Sequence, residues 1–210
     1  MKILNYYLVI ICLQEVPGDL LNLIYQLSQD NKLKIYYYKL PRKPSIKVYK
    51  DNFEYLVTII YNINSKNNII NNIQYSDYGK AALIVFIESI NLCCINTHLP
   101  IYNYDGKDSI DLLSEYINYY DNCLLVGDFN KDYYDVLLDL QYFNIYNLLN
   151  SFTGFDTYTY KKKNYNGNYN YKRLDHMFTF SKIYRLKNSC VYDNNISDHC
   201  LIYSKLVKYD

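Results

Sequence analysis

Four short apolar runs, LVIICL (8–13), ALIVFI (82–87), LCCI (92–95) and CLLV (123–126), constrain the fold of this chain more than any other feature. Each is too short for a buried helix and is bounded by polar residues, so each reads as a strand buried on both faces. The stretches between them change to a helical period. PGDLLNLIYQLSQ (17–29) places Leu20, Ile24 and Leu27 on one stripe, with Pro17 and Asp19 suited to a helix start. KDSIDLLSEYINYY (107–120) aligns Ile110, Leu113 and Ile117 behind a cap at Asp108 or Ser109. A third helix is expected after Asn130, with Val136, Leu137 and Leu140 inward. This alternation means an α/β domain whose sheets are covered by helices.

Within GKAALIVFIESINLCCINTHLP (79–100) two apolar runs are joined by Glu88 to Asn91, a β-hairpin that delivers Thr97 and His98 to a strand end. Residues 62–74 and 160–172, rich in Asn, Tyr and Lys, read as loops, the second with a charge run. With 210 residues and neither a repeat nor a linker, one compact domain over 1–210 is expected, large enough to need no disulfide or metal staple.

Bulk composition says little about function. The 29 tyrosines share with Asn, Lys and Ile a bias toward A/T-rich codons, and a net charge of +1 leaves any anionic partner to a local site. The six cysteines, Cys12, Cys93, Cys94, Cys123, Cys190 and Cys200, lie mostly in or beside apolar runs without zinc spacing, as expected of reduced, buried thiols in an intracellular (cytoplasmic or nuclear) protein. The N-terminus, MKILNYYLVIICLQEV, has a Lys before an apolar stretch but no small-residue cleavage site, and reads as a buried strand rather than a secretory signal. No run approaches the ~20 apolar residues of a membrane span.

The polar residues at the strand ends are the informative ones. LQEV ends in Glu15, NTHLP holds His98, VGDFN holds Asp128 and Asn130, RLDHMF holds Asp175, and SDHCLI holds Asp198 and His199. Taken singly, each has a plain structural explanation: Glu15 as a solvated strand terminus, His98 as a satisfied core histidine, Gly127-Asp128 as a turn, Asp175 as an exposed partner of Arg173, and Ser197-Asp198-His199 as a local turn. Those explanations do not account for carboxylates, an amide and imidazoles occurring together in this order.

In this order the five motifs resemble those of the endonuclease/exonuclease/phosphatase family, from about residue 8 to the C-terminus, with a DTYTY segment (156–160) before the late aspartate. The resemblance implies a four-layer α/β/β/α sandwich of two packed mixed sheets flanked by helices. It also implies metal-dependent phosphodiester hydrolysis. Glu15 would bind the metal with Asp198 nearby, and Asp128 would activate water or hold a second metal. Asn130 would position Asp128 or a phosphate oxygen. His199 would contact the scissile phosphate with Asp175 fixing its tautomer, and His98, oriented by Glu54, would serve the leaving oxygen. An oxygen-rich ligand set without thiolate favours Mg²⁺ or Mn²⁺. The N-terminus departs from the family: there is no Trp-Asn strand, and Asn5, the one amide that could stand for it, is too close to Glu15 for a parallel crossover, so the first strand and helix are trimmed or the start is misannotated.

The substrate classes that follow are nucleic acid, cleaved by a monomeric nuclease or DNA-repair phosphodiesterase, or a small or lipid-linked phosphate ester such as an inositol phosphate or nucleotide. A degenerate, non-catalytic binding domain is the reading from another class. Lys161 to Lys163, with Tyr158, Tyr160 and Tyr165 around them, either grip a nucleic-acid backbone or form a solvated loop.

Overall fold

The computed structural model describes residues 9–31, 33–41, 53–61, 67–75, 80–100, 103–145, 149, 151–152, 158–193 and 197–208. The chain forms two compact units, Met1–His98 and Leu99–Asp210, whose boundary falls inside the NTHLP motif.

The first unit runs β1 (Val9–Pro17), α1 (Gly18–Asn31), β2 (Leu33–Pro41), β3 (Phe53–Tyr61), β4 (Asn67–Gln74), β5 (Ala81–Ile87), a 3-10 turn at Glu88–Ile90 and β6 (Leu92–His98). β3 pairs antiparallel with β1 and β2, and β5 pairs antiparallel with β4 and β6. The expected hairpin is present, with Asn91 in the left-handed conformation (φ 50°) that lets the chain reverse.

Alternation along β3 explains how the layers stack. Its odd-numbered Val57 and Ile59 pack with Val16 and with Leu21 and Ile24 of α1. Its even-numbered face carries Leu56, Thr58 and Ile60, all buried, and meets β6 where Asn96 Nδ2 donates to Thr58 Oγ1 at 3.4 Å. α1 begins after Pro17, which closes β1 instead of opening the helix. The buried stripe is Leu21 and Ile24; Leu20 and Leu27, expected inward, are 43% and 54% exposed. The helix is apolar on several sides, so the partner sheet rather than the helix sequence selects the buried face.

β5, β6 and β7 are buried along nearly all their length as expected, but β1 is not: Val9 and Ile11 are 45% and 40% exposed, and among the described residues β1 pairs with β3 alone. Residues 67–74, expected in a loop, form β4; its Asn-rich sequence hides a strand held by ladder hydrogen bonds to β5. Residues 62–66, and Asn5, lie outside the described residues.

The second unit runs α2 (Asn103–Tyr119), β7 (Asn122–Asp128), α3 (Tyr133–Tyr142), β8 (Ser151–Phe152), β9 (Tyr160–Lys163), β10 (Tyr169–Lys172), β11 (Asp175–Ser181), β12 (Tyr184–Tyr192) and β13 (Leu201–Lys208). β11 pairs antiparallel with β7 and β8, and β9–β10 and β12–β13 form antiparallel pairs. Ile110, Leu113 and Ile117 are buried as expected, but α2 begins at Asn103, so Asp108 and Ser109 are interior to the helix rather than its cap. On α3, Val136 and Leu140 are buried one turn apart while Leu137 is half-buried.

CLLV is the buried core of β7, and the strand continues through Gly127 to Asp128 instead of turning at the glycine. Gly127 has φ +152°, a conformation that side chains rarely adopt, which is why glycine stands there. Phe129 is fully buried, its ring 5.5 Å from those of both Phe178 and His176. All six cysteines are free; Cys93, Cys94, Cys123 and Cys200 are buried, whereas Cys190 is exposed and Cys12 half-buried, contrary to the expectation of uniform burial. Among the described residues no helix is long and apolar enough to cross a membrane.

Candidate active site

In the first unit, alternation aims the even-numbered residues of β1, β3 and β6 toward one another. Gln14 Nε2 donates to Asn96 Oδ1 at 2.7 Å, and Asn96 Nδ2 donates to the carbonyls of Val57 and Leu13 at 3.0 and 3.2 Å. Two residues further along β6 stands His98, and at the start of β3 stands Glu54, both buried. Glu54 is 7% exposed, where a carboxylate at a strand start is ordinarily solvated.

Glu15 would face away by parity. Between the pairs Leu13–Val57 and Val16–Tyr55, however, Gln14 and Glu15 together oppose the single Leu56. This bulge puts Glu15 at φ +52°, a left-handed conformation unusual for glutamate, and re-aims its carboxylate. The carboxylate oxygens of Glu15 and Glu54 and a ring nitrogen of His98 all lie within 4.8 Å of one another. Two carboxylates and an imidazole at that separation can hold a divalent cation, completed by water.

The sequence did not point to Lys80, which immediately precedes β5. Its Nζ makes a short contact with His98 Nε2 and lies 3.8 Å from Glu15 Oε1. Lys80 thus brings a positive charge to the place where a divalent cation would be held.

In the second unit, the register of β7 and β11 sets Asp128 directly opposite Asp175. Both carboxylates are buried, and their proximity is unfavourable unless a cation compensates. His199 supplies that cation: Nδ1 lies 2.9 and 3.1 Å from the two oxygens of Asp175, and Nε2 lies 3.8 Å from Asp128 Oδ2. Burial alone would lower the pKa of His199. The hydrogen bond to Asp175 and the charges of Asp175, Asp128 and Asp198 outweigh it and push the imidazole up to about 9. Asp175 is itself pushed up by burial and pulled back by His199. The alternative of an exposed Asp175–Arg173 pair is not what forms, since Arg173 bonds Asp132 at 3.0 Å.

Asp128 Oδ1 accepts the backbone N–H of Asn130 at 2.8 Å, which leaves Oδ2 toward His199. Asn130 adopts φ +51°, a conformation asparagine tolerates, and its Nδ2 donates to the Leu99 carbonyl at 2.8 Å. It therefore positions Asp128 through its main chain. Asp198 is exposed beside His199, and its carbonyl accepts Lys161 N–H.

Two further residues emerge only in the fold. Thr159 is fully buried and its Oγ1 accepts the N–H groups of Leu174 and Asp175, while its carbonyl accepts Cys200 N–H, so one residue fixes both segments of the Asp175–His199 pair. Tyr160 lies edge-on to His199 at 4.9 Å, its hydroxyl pKa raised by burial and then by Asp198 and Asp128. His176, in contrast, is a core histidine: its Nε2 lies 3.0 Å from the Lys131 carbonyl and burial lowers its pKa.

Solved structures share this architecture. An endonuclease/exonuclease/phosphatase from Bacteroides vulgatus superposes with a TM-score of 0.64 at 11% identity, over 95% of this chain and 85% of that one. ANGEL2, described as a 2',3'-cyclic phosphatase and solved with adenosine-2',3'-vanadate, superposes with a TM-score of 0.64 at 14% identity, over 94% and 81%. The human Nocturnin catalytic domain with bound sulfate gives 0.59 at 17% identity, over 93% and 80%. The chain has the endonuclease/exonuclease/phosphatase fold. At these identities the likeness is one of fold. No family model matches the sequence, and no curated protein matches it.

Proposed function

We propose that this protein is a phosphodiester hydrolase, and the observation that carries the reading is the imidazole of His199 held between the buried carboxylates of Asp175 and Asp128. In the reaction a water oxygen attacks phosphorus, the ester P–O bond breaks, and the departing oxygen takes up a proton. The distance of 3.8 Å to Asp128 is too long for a hydrogen bond, so Nε2–H of the charged His199 remains directed at a non-bridging phosphate oxygen, whose growing negative charge it stabilises. Asp175 holds Nδ1–H and thereby the ring orientation. Asp128, pinned through one oxygen by Asn130, offers the other to orient and deprotonate the water.

The cation-binding role falls to Glu15, whose carboxylate lies within 4.8 Å of the ligand atoms of Glu54 and His98, and in the second unit Asp128 and Asp198 are the carboxylates beside His199; oxygen donors suit Mg²⁺ or Mn²⁺. When bound, such an ion would neutralise charge on the phosphoryl oxygens. Nocturnin with its bound sulfate and the cyclic phosphatase ANGEL2 with its nucleotide vanadate support an anionic phosphate ester as substrate. A nuclease or DNA-repair phosphodiesterase acting on nucleic acid is the preferred form of this activity.

The test is turnover of labelled single- and double-stranded DNA and RNA beside soluble phosphate esters, with Mg²⁺, Mn²⁺ or chelator. Wild type should cleave at least one class, and Asp128→Ala or His199→Gln should lower kcat by at least ~10³-fold. Turnover of no substrate, or full activity in His199→Gln, would refute the proposal and favour a non-catalytic binding domain.

A further inference from the structure

Residues 160–172 form a defined hairpin, β9–β10, attached directly to the His199 cluster rather than a free loop. Tyr160 bridges to His199 in the backbone, Lys161 N–H donates to the Asp198 carbonyl at 2.8 Å, and Thr159 N–H donates to the Lys172 carbonyl at 2.9 Å. The base of the hairpin is therefore placed by the same residues that place the imidazole.

Alternation assigns its side chains to two faces. One face carries Lys161, Lys163, Tyr169 and Tyr171; there Lys161 is taken up by Asp193 at 2.5 Å, which also accepts the Tyr158 hydroxyl at 3.2 Å. The other face begins at Tyr160, whose ring touches His199, and continues with Lys162 two residues on and Lys172 directly across from Tyr160. At about 3.3 Å per residue, Lys162 starts ~7 Å further along the strand than Tyr160. Both lysines are exposed, and among the described residues neither has an ion-pair partner. In a chain with a net charge of only +1, two uncompensated cations aligned outward from a phosphate-binding imidazole are a local feature.

We infer that β9–β10 is a substrate arm: Lys162 and Lys172 hold phosphates flanking the scissile one, and so select a polynucleotide strand over an ester with a single phosphate. The inference rests on the phosphodiester reading of His199 and deepens it. The two cations engage backbone charge and not the sugar, so DNA and RNA strands should be held alike. Exposed Tyr165, Tyr169 and Tyr171 on the tip and opposite face provide a comparison within the same hairpin.

The full-length protein carrying Lys162→Gln and Lys172→Gln is compared with wild type and with a Tyr169→Ala, Tyr171→Ala double variant. Equilibrium binding of fluorescent dT20 and U20 is measured in chelator across a salt series, and hydrolysis of bis(p-nitrophenyl) phosphate is followed with Mn²⁺. The lysine variant should bind both strands about tenfold more weakly at low salt, and the slope of log K against log salt should become shallower by about 1.4, the value for two lost phosphate contacts on a single strand. Its rate on the one-phosphate ester should stay within twofold of wild type, and the tyrosine variant should keep the wild-type slope. An unchanged slope in the lysine variant, equal losses on polymer and small ester, or loss of the slope in the tyrosine variant alone would overturn the inference. Absence of any hydrolysis by wild type would count against the phosphodiester reading alone, because the slopes report the arm without turnover.

Discussion

Replacing Asp175 by Asn should move the titration of His199 part of the way back toward that of an ordinary histidine. In the wild type the imidazole is raised from 6.5 to about 9, and at ~1.4 kcal/mol per pH unit that gap of roughly 2.5 corresponds to about 3 kcal/mol favouring the charged ring. The side chain is 31% exposed, so solvent screening reduces the figure to about 2 kcal/mol. Because the folded-state value is raised, this stability is fully present below pH 6.5 and is lost as pH rises through about 9. Asp175 provides both the direct hydrogen bond and the nearest charge, whereas Asp128 approaches only to 3.8 Å. Asn keeps an acceptor for Nδ1–H but removes the charge, and the pKa should fall by about one to two pH units. The assay is histidine NMR titration of metal-free protein. The chain has three histidines, and burial lowers the pKa of His176, the opposite direction to His199, which keeps the two apart. A wild-type His199 that titrates near 6.5, or an Asp175→Asn variant that leaves its midpoint in place, would refute the electrostatic account of the site.

Three other outcomes test the framework around the two clusters. Phe129→Ala removes a fully buried ring between Phe178 and His176, and should cost about 3–5 kcal/mol in urea unfolding. Thr159→Val keeps the shape of a fully buried side chain but takes away the acceptor of two buried N–H groups; a loss of about 2 kcal/mol or more in the same assay, with a lowered His199 midpoint, is expected. Lys80→Met removes the ammonium beside Glu15 and His98, and should tighten Mn²⁺ binding at that cluster at least tenfold by calorimetry; weaker binding would mean that the lysine helps to build the cation site instead of competing for it.

Legibility followed burial. β5, β6 and β7 are enclosed on both faces, so their sequences are unbroken apolar runs, and their ends could be located with the residues they present, His98 and Asp128. β4, β9 and β10 have the sequences of loops because Asn, Tyr and Lys fill them, and what holds them is the backbone ladder, which leaves no mark on side-chain pattern. The same reason hides the aim of Glu15. A one-residue bulge turns it toward His98 and Glu54, and nothing in LQEV distinguishes a bulged strand from a straight one. Lys80 was invisible because a lysine before a strand is ordinarily a solvated flank, and only the fold brings it to His98.

The clearest case of a site dictated by fold is the facing of Asp128 and Asp175. Register along β7 and β11 pairs buried apolar residues, Leu125 opposite Phe178 and Cys123 opposite Phe180, and a slip by one would exchange the two faces and undo that packing. Core packing therefore holds the two carboxylates together although their own interaction opposes it. The opposition is relieved by His199, which enters from a separate segment tied in by Thr159 and Tyr160. A charged imidazole is then required by the electrostatics of the metal-free protein, and the same charge is what a phosphate oxygen would meet. Stability and the proposed chemistry depend on the same positive charge of His199, whose Nδ1 is held by Asp175 while Nε2–H remains for the phosphate.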